Sequence, residues 1–245
     1  MNKNYFLNPE SRIKLFNPGW WFYMLGAIIF LIVFSMIGNQ YNRQDRLNMV
    51  LTLSLIELII LRIYKFSLKN YRDDYNYFNE LPCYLCNQST ILCIIASYFD
   101  NSHIMAFCII VGSFGALLAV FMPDSYNVDQ PFYCRQAFGF YGYHCLLIVS
   151  CLSFATLNLY KADPKEALWI MLIIFILALI AHIINYIMRK SKLNKKSNFV
   201  FTYDPDNLIL EKLYNFMPIK LLYLLPIMFG FGIFSFIILS IFAWI

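Results

Sequence analysis

Charged side chains are what this 245-residue sequence has least of: Asp, Glu, Lys and Arg make up 13% of it, about half the share usual in soluble domains. Hydrophobic residues supply 60% and aromatic residues 19%, which excludes a water-soluble globule. The apolar residues fall into seven blocks, at 18–38, 47–66, 82–100, 103–122, 136–160, 165–188 and 219–244. Each is close to the roughly 20 residues that cross a hydrocarbon core of about 30 Å as a helix. Connecting segments are short except for 189–218, so nothing is left over for a soluble domain. The sequence therefore predicts an all-α, polytopic membrane protein. Residues 18–245 form one domain of seven transmembrane helices, preceded by a cytoplasmic, interfacial segment over 1–17 that leads into the aromatic pair Trp20 and Trp21.

Other absences narrow the reading. The first apolar block follows Lys3, Arg12 and Lys14 but has no small-residue cleavage site and is too long for a signal peptide, so it is expected to remain as a span. Seven cysteines, at 83, 86, 93, 108, 134, 145 and 151, are an odd number and lie mostly inside the spans. That excludes a disulfide framework of the small secreted kind. There is no second C-x-x-C and no H-x₃₋₅-H to complete a zinc site around Cys83 and Cys86.

What charge there is sits in the loops. One set of loops carries fourteen Lys and Arg residues (3, 12, 14, 65, 69, 72, 135, 189, 190, 192, 195, 196, 212 and 220), and the other carries four (43, 46, 161 and 165). Positive charge is retained on the cytoplasmic side, so the N-terminus is expected in the cytoplasm and the C-terminus outside. This distribution explains the net charge of +5 as orientation, not as nucleic-acid binding. The basic segment "MRKSKLNKKSN", residues 188–198, would also attract anionic headgroups.

With that orientation, the polar residues within the spans gather toward one face. Cys83 and Cys86, in "ELPCYLCNQST", lie at the start of the third block, about 6 Å in, and His144 lies roughly 12 Å into the fifth. Asn185 is at the matching end of the sixth block, and Asp124 and Arg135 are in the loop between the fourth and fifth. Polar groups at such depth are expensive and mark candidate sites. C-x-x-C at a helix start suits a thiol redox pair, half of a zinc site, or two small buried hydrophobes. His144 is either a packed, hydrogen-bonded side chain or a base that makes Cys86 a nucleophile. In "GSFGALLAVFMPD", Gly112, Ser113, Gly115 and Ala116 suit close helix packing, and Asp124 follows the terminator Pro123. Glu57 lies mid-span, to pair with Asn or Tyr or to line a headgroup or proton path; His182 is expected at the interface.

Read in order, "LPCYLC", "GSFGALLAVFMPD", "FGFYGYHCLLIV", "HIINYIM" and "SNFVF" followed by Asp-Pro resemble the YwaF family of bacterial seven-span proteins, which is related to the eukaryotic transmembrane protein 164 group. The resemblance covers about residues 45–245. It implies an integral-membrane acyltransferase of the bacterial plasma membrane, with membrane phospholipids as acyl donor and acceptor, no cofactor and no metal. It also implies that the motif cysteine, here Cys86, carries the acyl group as a thioester, that His144 is the core histidine, and that Asn185 and Asn198 are the motif asparagines. The sequence departs at Tyr84, where the family usually has histidine.

That chemistry is self-consistent. Cys86 attacks the donor carbonyl, His144 shuttles the proton, and Asn87, Ser89 or Asn185 donates to the oxyanion, with Asp124, Arg135 and Asn198 as further substrate-binding candidates. Two other classes remain at this point: a transporter or lipid scaffold, indifferent to loss of Cys86, and a thiol oxidoreductase, equally sensitive to loss of Cys83 or Cys86. Nothing in the sequence sets an oligomeric state.

Overall fold

The computed structural model describes residues 13–70, 75–123, 133–205 and 208–244. Among these, all regular structure is helical: α1 (Pro18–Gly38), α2 (Arg43–Ser67), α3 (Leu85–Phe99), α4 (Ser102–Phe121), α5 (Arg135–Thr156), α6 (Glu166–Lys190), α7 (Leu208–Phe216) and α8 (Leu222–Trp244). Six of the eight, all but α3 and α7, are long and apolar enough to cross a membrane. α3 has 15 residues, about 22 Å at 1.5 Å per residue, less than the expected block over 82–100. The chain turns before α3 begins, with the Cys83 N–H on the Leu81 carbonyl at 2.8 Å across Pro82, whose ring fixes φ in the range such a turn uses. At the other end Asp100 closes the helix in the left-handed conformation (φ 49°, ψ 47°), which Asp adopts more readily than most residues.

α5 is the axis of the bundle and packs against α1, α2, α3 and α4. Most of its apolar stretch is buried, whereas α1, α6 and α8 turn rows of Ile, Leu and Phe outward. An outer helix that is apolar on every face has found its partner in lipid. Both α4 and α5 contain one π-helical turn, at Cys108–Gly112 and Phe138–Gly142. Two glycines in these turns permit close approaches. A Cβ on Gly139 would lie 2.2 Å from the Tyr64 ring, and one on Gly112 would lie 2.7 Å from Cys151 Sγ. At one end of the bundle the Trp20 indole donates to the Val120 carbonyl (3.2 Å), tying α1 to α4. At the other, Arg43 forks onto Asp100 (3.0 and 2.6 Å) and reaches the Leu159 carbonyl (2.9 Å).

Candidate active site

The start of α3 carries the site. Tyr84 is its N-cap, in extended conformation with no side-chain cap bond, and the first helical hydrogen bond is Gln88 N–H to the Tyr84 carbonyl. The N–H groups of the first turn, including those of Cys86 and Asn87, thus have no helical acceptor. Cys86 and Asn87 open onto a cavity of about 580 Å³. α2 contributes Tyr64 and Lys65 to its wall, α5 contributes Phe140, Tyr143 and His144, and the segment after α6 contributes Lys196, Asn198 and Phe199. The structure therefore brings Cys86, Asn87, His144 and Asn198 to one space.

His144 is 8% exposed, and its Nδ1–H donates to the Phe140 carbonyl at 2.7 Å. Phe140 lies in the π-turn, and its carbonyl also takes the Tyr143 N–H. A carbonyl only accepts, so this bond places the proton on Nδ1 and leaves Nε2 as the basic nitrogen. Nε2 has no hydrogen-bond partner among the described residues. Lys65 Nζ binds Glu80 Oε2 at 2.6 Å in the same wall, and Lys196 is a second cation there.

Behind the cavity lies a polar line. The single Tyr143 OH proton is shared between Thr90 Oγ1 (2.9 Å) and Asn87 Oδ1 (3.3 Å). Thr90 Oγ1 in turn donates to Glu57 Oε1 (2.5 Å), and Ser150 Oγ donates to Glu57 Oε2 (3.0 Å). Glu57 is wholly buried. It is paired, but with the hydroxyls of Thr90 and Ser150 and not with the Asn or Tyr expected.

Asn185, fully buried, is not in the cavity wall but holds the segment that is. Its Nδ2 donates to the Phe199 carbonyl (3.0 Å) and Thr202 Oγ1 (2.9 Å), while its Oδ1 accepts from Ser197 Oγ (2.7 Å) and Phe199 N–H (2.9 Å). Asn198 caps the following turn, accepting from the Tyr203 and Asp204 N–H groups and donating to the Asp204 carbonyl. Tyr223 OH donates to the Phe201 carbonyl. Val200 and Phe201 are held at φ 54° and 55°. A β-branched residue there is a strained outlier of the sort that clusters at ligand sites.

The remaining candidates lie elsewhere. Ser89 Oγ donates to the Leu85 carbonyl (2.9 Å) and packs against Gly112, outside the cavity lining. Arg135 is exposed at the start of α5, and Asp124 lies outside the described residues. Cys83 is buried against Ala181 and Phe199. His182 is half-buried and stacks on Tyr203, with ring centroids 5.5 Å apart. All seven cysteines are free, and no three His, Cys, Asp or Glu side chains converge to hold a metal ion among the described residues.

Lys65, Glu80, Tyr143 and Thr90 carried no sequence signal of their own. A lysine ending an apolar block is an ordinary interfacial anchor, and a tyrosine or threonine within a span is unremarkable by type.

The fold and site define a multi-pass helical membrane protein with a polar cavity, walled by thiol, imidazole and ammonium groups, at one end of its bundle. More narrowly, the chain belongs to the TMEM164 family, whose model matches residues 14–243. The match starts well before residue 45 and so takes in α1. No individual curated protein and no solved structure matches the chain.

Proposed function

We propose that this protein is an integral-membrane acyltransferase that moves a fatty-acyl chain between glycerophospholipids through a thioester on Cys86. The observation that carries the reading is that Cys86 and His144 line the same cavity with Lys65 and Lys196, while Cys83, three residues from Cys86, is packed among apolar side chains. That asymmetry favours a single thiol over the dithiol of an oxidoreductase. It also gives a reason, absent from a passive scaffold, for a thiol and an imidazole to share one space.

In the first half-reaction Cys86 Sγ bonds to the donor ester carbonyl and its proton passes to His144 Nε2. The tetrahedral oxyanion takes hydrogen bonds from Asn87 Nδ2 and the N–H groups of the first turn of α3, which have no helical acceptor. Collapse breaks the ester C–O bond, and His144 returns the proton to the leaving lysophospholipid oxygen. In the second half an acceptor hydroxyl gives its proton to His144 and attacks the thioester; the thiolate leaves and is reprotonated. Lys65 and Lys196 offer the charge that a lipid phosphate needs. The acyl chain is assigned to an apolar crevice of about 140 Å³ that includes Leu85, Ala178, Val200 and Met228 and shares Phe201 with the polar cavity.

The reading includes α3 as a seventh, short span, with the N-terminus cytoplasmic and the C-terminus outside. The cavity then opens toward the inner leaflet of a bacterial plasma membrane, on the side that holds most of the basic residues. Intact-mass measurement of the purified protein after incubation with phospholipid vesicles tests it. The expected result is an adduct of fatty-acyl mass, released by hydroxylamine and absent in Cys86→Ser. No adduct under turnover, or one that persists in Cys86→Ser, overturns the proposal.

A further inference from the structure

Glu57 is unused in that scheme, although a carboxyl buried in an apolar span is expensive to keep. Its place in the structure suggests what it anchors. Glu57, Thr90 and Ser150 are 0% exposed and Tyr143 is 1% exposed, so no water screens the line that runs Glu57–Thr90–Tyr143–Asn87 at 2.5, 2.9 and 3.3 Å. The line ends on the carbonyl oxygen of an amide in the cavity wall. The two ends of an Asn amide are nearly equal in shape and opposite in hydrogen bonding. Unconstrained, the group offers the cavity either its acceptor or its donor. With Oδ1 taken by the Tyr143 hydroxyl, the NH₂ is the end left to face substrate.

We infer that Glu57, Thr90 and Tyr143 are positioning residues that fix the Asn87 amide with its N–H₂ toward the cavity, as a donor to the carbonyl oxygen of a lipid ester or thioester. The inference rests on the acyl-transfer reading and adds to it the side chains that orient its oxyanion donor and the reason for a mid-membrane carboxyl. Glu57 acts as an acceptor: it takes the Thr90 proton and leaves Thr90 Oγ1 able only to accept, so the single Tyr143 proton is shared between Thr90 Oγ1 and Asn87 Oδ1 and does not turn away from the amide. No proton or electron leaves the line.

Two rates measured on the full chain in detergent separate this role from a structural one. Acylation of Cys86 by p-nitrophenyl octanoate passes through an oxyanion, whereas alkylation of Cys86 by iodoacetamide does not. Tyr143→Phe, which keeps the ring and its packing, is expected to slow acylation about ten- to a hundredfold, toward the loss seen when an oxyanion donor is removed, while alkylation stays within about twofold. Glu57→Leu is expected to slow acylation in the same way with alkylation again within about twofold, and to lower the melting temperature because the buried Thr90 and Ser150 hydroxyls lose their acceptor. Glu57→Gln keeps an acceptor for Thr90 and restores the rate. The Tyr143→Phe/Asn87→Ala double variant is expected to be no slower than Asn87→Ala, because both act through one amide. Acylation of Tyr143→Phe at the wild-type rate, acylation and alkylation falling together, or multiplicative loss in the double variant each overturns the inference. Wild-type protein that takes no acyl group, from the activated ester or from vesicles, overturns the proposed function itself. Wild type that acylates, with variants that do so equally well, overturns only the role of the line.

Discussion

Cys86 lies in the first turn of α3, in the wall of the 580 Å³ cavity. Cys93, about two turns further along the same helix, is fully buried with Cys151 Sγ at 3.6 Å and Cys108 beside both. Side-chain chemistry is the same in the two places. One thiol has first-turn N–H groups without helical acceptors, an imidazole in the same wall and open volume; the other three are enclosed by one another and by the apolar core that includes Met105, Phe107 and Leu147. Thiols become nucleophiles through access and polar company, while sealed ones pack as small hydrophobes. A count of cysteines gives no hint of this division, and position along a helix gives only half of it.

Replacing the thiol is the most severe way to break the contrast. Cys86→Ser is expected to abolish acyl-adduct formation, whereas Cys83→Ser and Cys151→Ser leave it within about twofold, as for changes remote from a reacting group; intact-mass analysis reads all three. His144→Gln is expected next, with adduct formation slowed about 10²- to 10⁴-fold, the usual contribution of a positioned base. If that variant matches wild type in stopped-flow acylation, the imidazole is a packing residue after all. Asn185→Ala removes four hydrogen bonds behind Ser197, Phe199 and Thr202. A drop of about 1–3 kcal/mol is expected from the buried groups left unpaired, measured as a lowered midpoint in thermal unfolding.

A chain-length test sharpens the comparison from the apolar side. Ala178→Phe fills the crevice beside Phe201 and is expected to shift adducts toward shorter acyl chains by about tenfold in relative yield, since misfit in an apolar pocket is worth about 1–3 kcal/mol. An unchanged chain profile in mass spectrometry moves the acyl chain elsewhere. The smallest effect belongs to the glycines. Gly139→Ala collides with Tyr64, while Gly115→Ala meets nothing within 4 Å and is expected to be neutral or to stabilise α4 by up to about 1 kcal/mol. Thermal unfolding of the pair checks that close packing is needed at one glycine and not the other.

Much of the fold was legible because the bilayer makes length and hydropathy nearly sufficient. Six of the seven apolar blocks return as helices long enough to cross a membrane, and the third returns shorter because a turn over Leu81–Tyr84 replaces its first residues. α7 was missed: its apolar face is only nine residues long and is interrupted by Glu211 and Lys212. The site was legible in part. Cys86 and His144 were noticeable because thiols and imidazoles are chemically distinctive and, in a span, rare. Asn185 was noticed for the same reason, yet its amide is fully occupied in holding the 197–202 segment. Ser89 was a plausible donor until its hydroxyl was found on the carbonyl four residues back, where serines in helices commonly turn.

From sequence alone, the shortage of charge, the run lengths and the uneven basic loops determine that the chain is an all-helical, multi-pass membrane protein, because a hydrocarbon solvent leaves backbone groups few other ways to be satisfied. Only the tertiary structure decides which polar groups share a space. Rotation of each helix about its axis, the π-turn before His144 and the return of the 194–201 segment to the cavity set those distances. They depend on packing between residues remote in the chain, and no local periodicity encodes them.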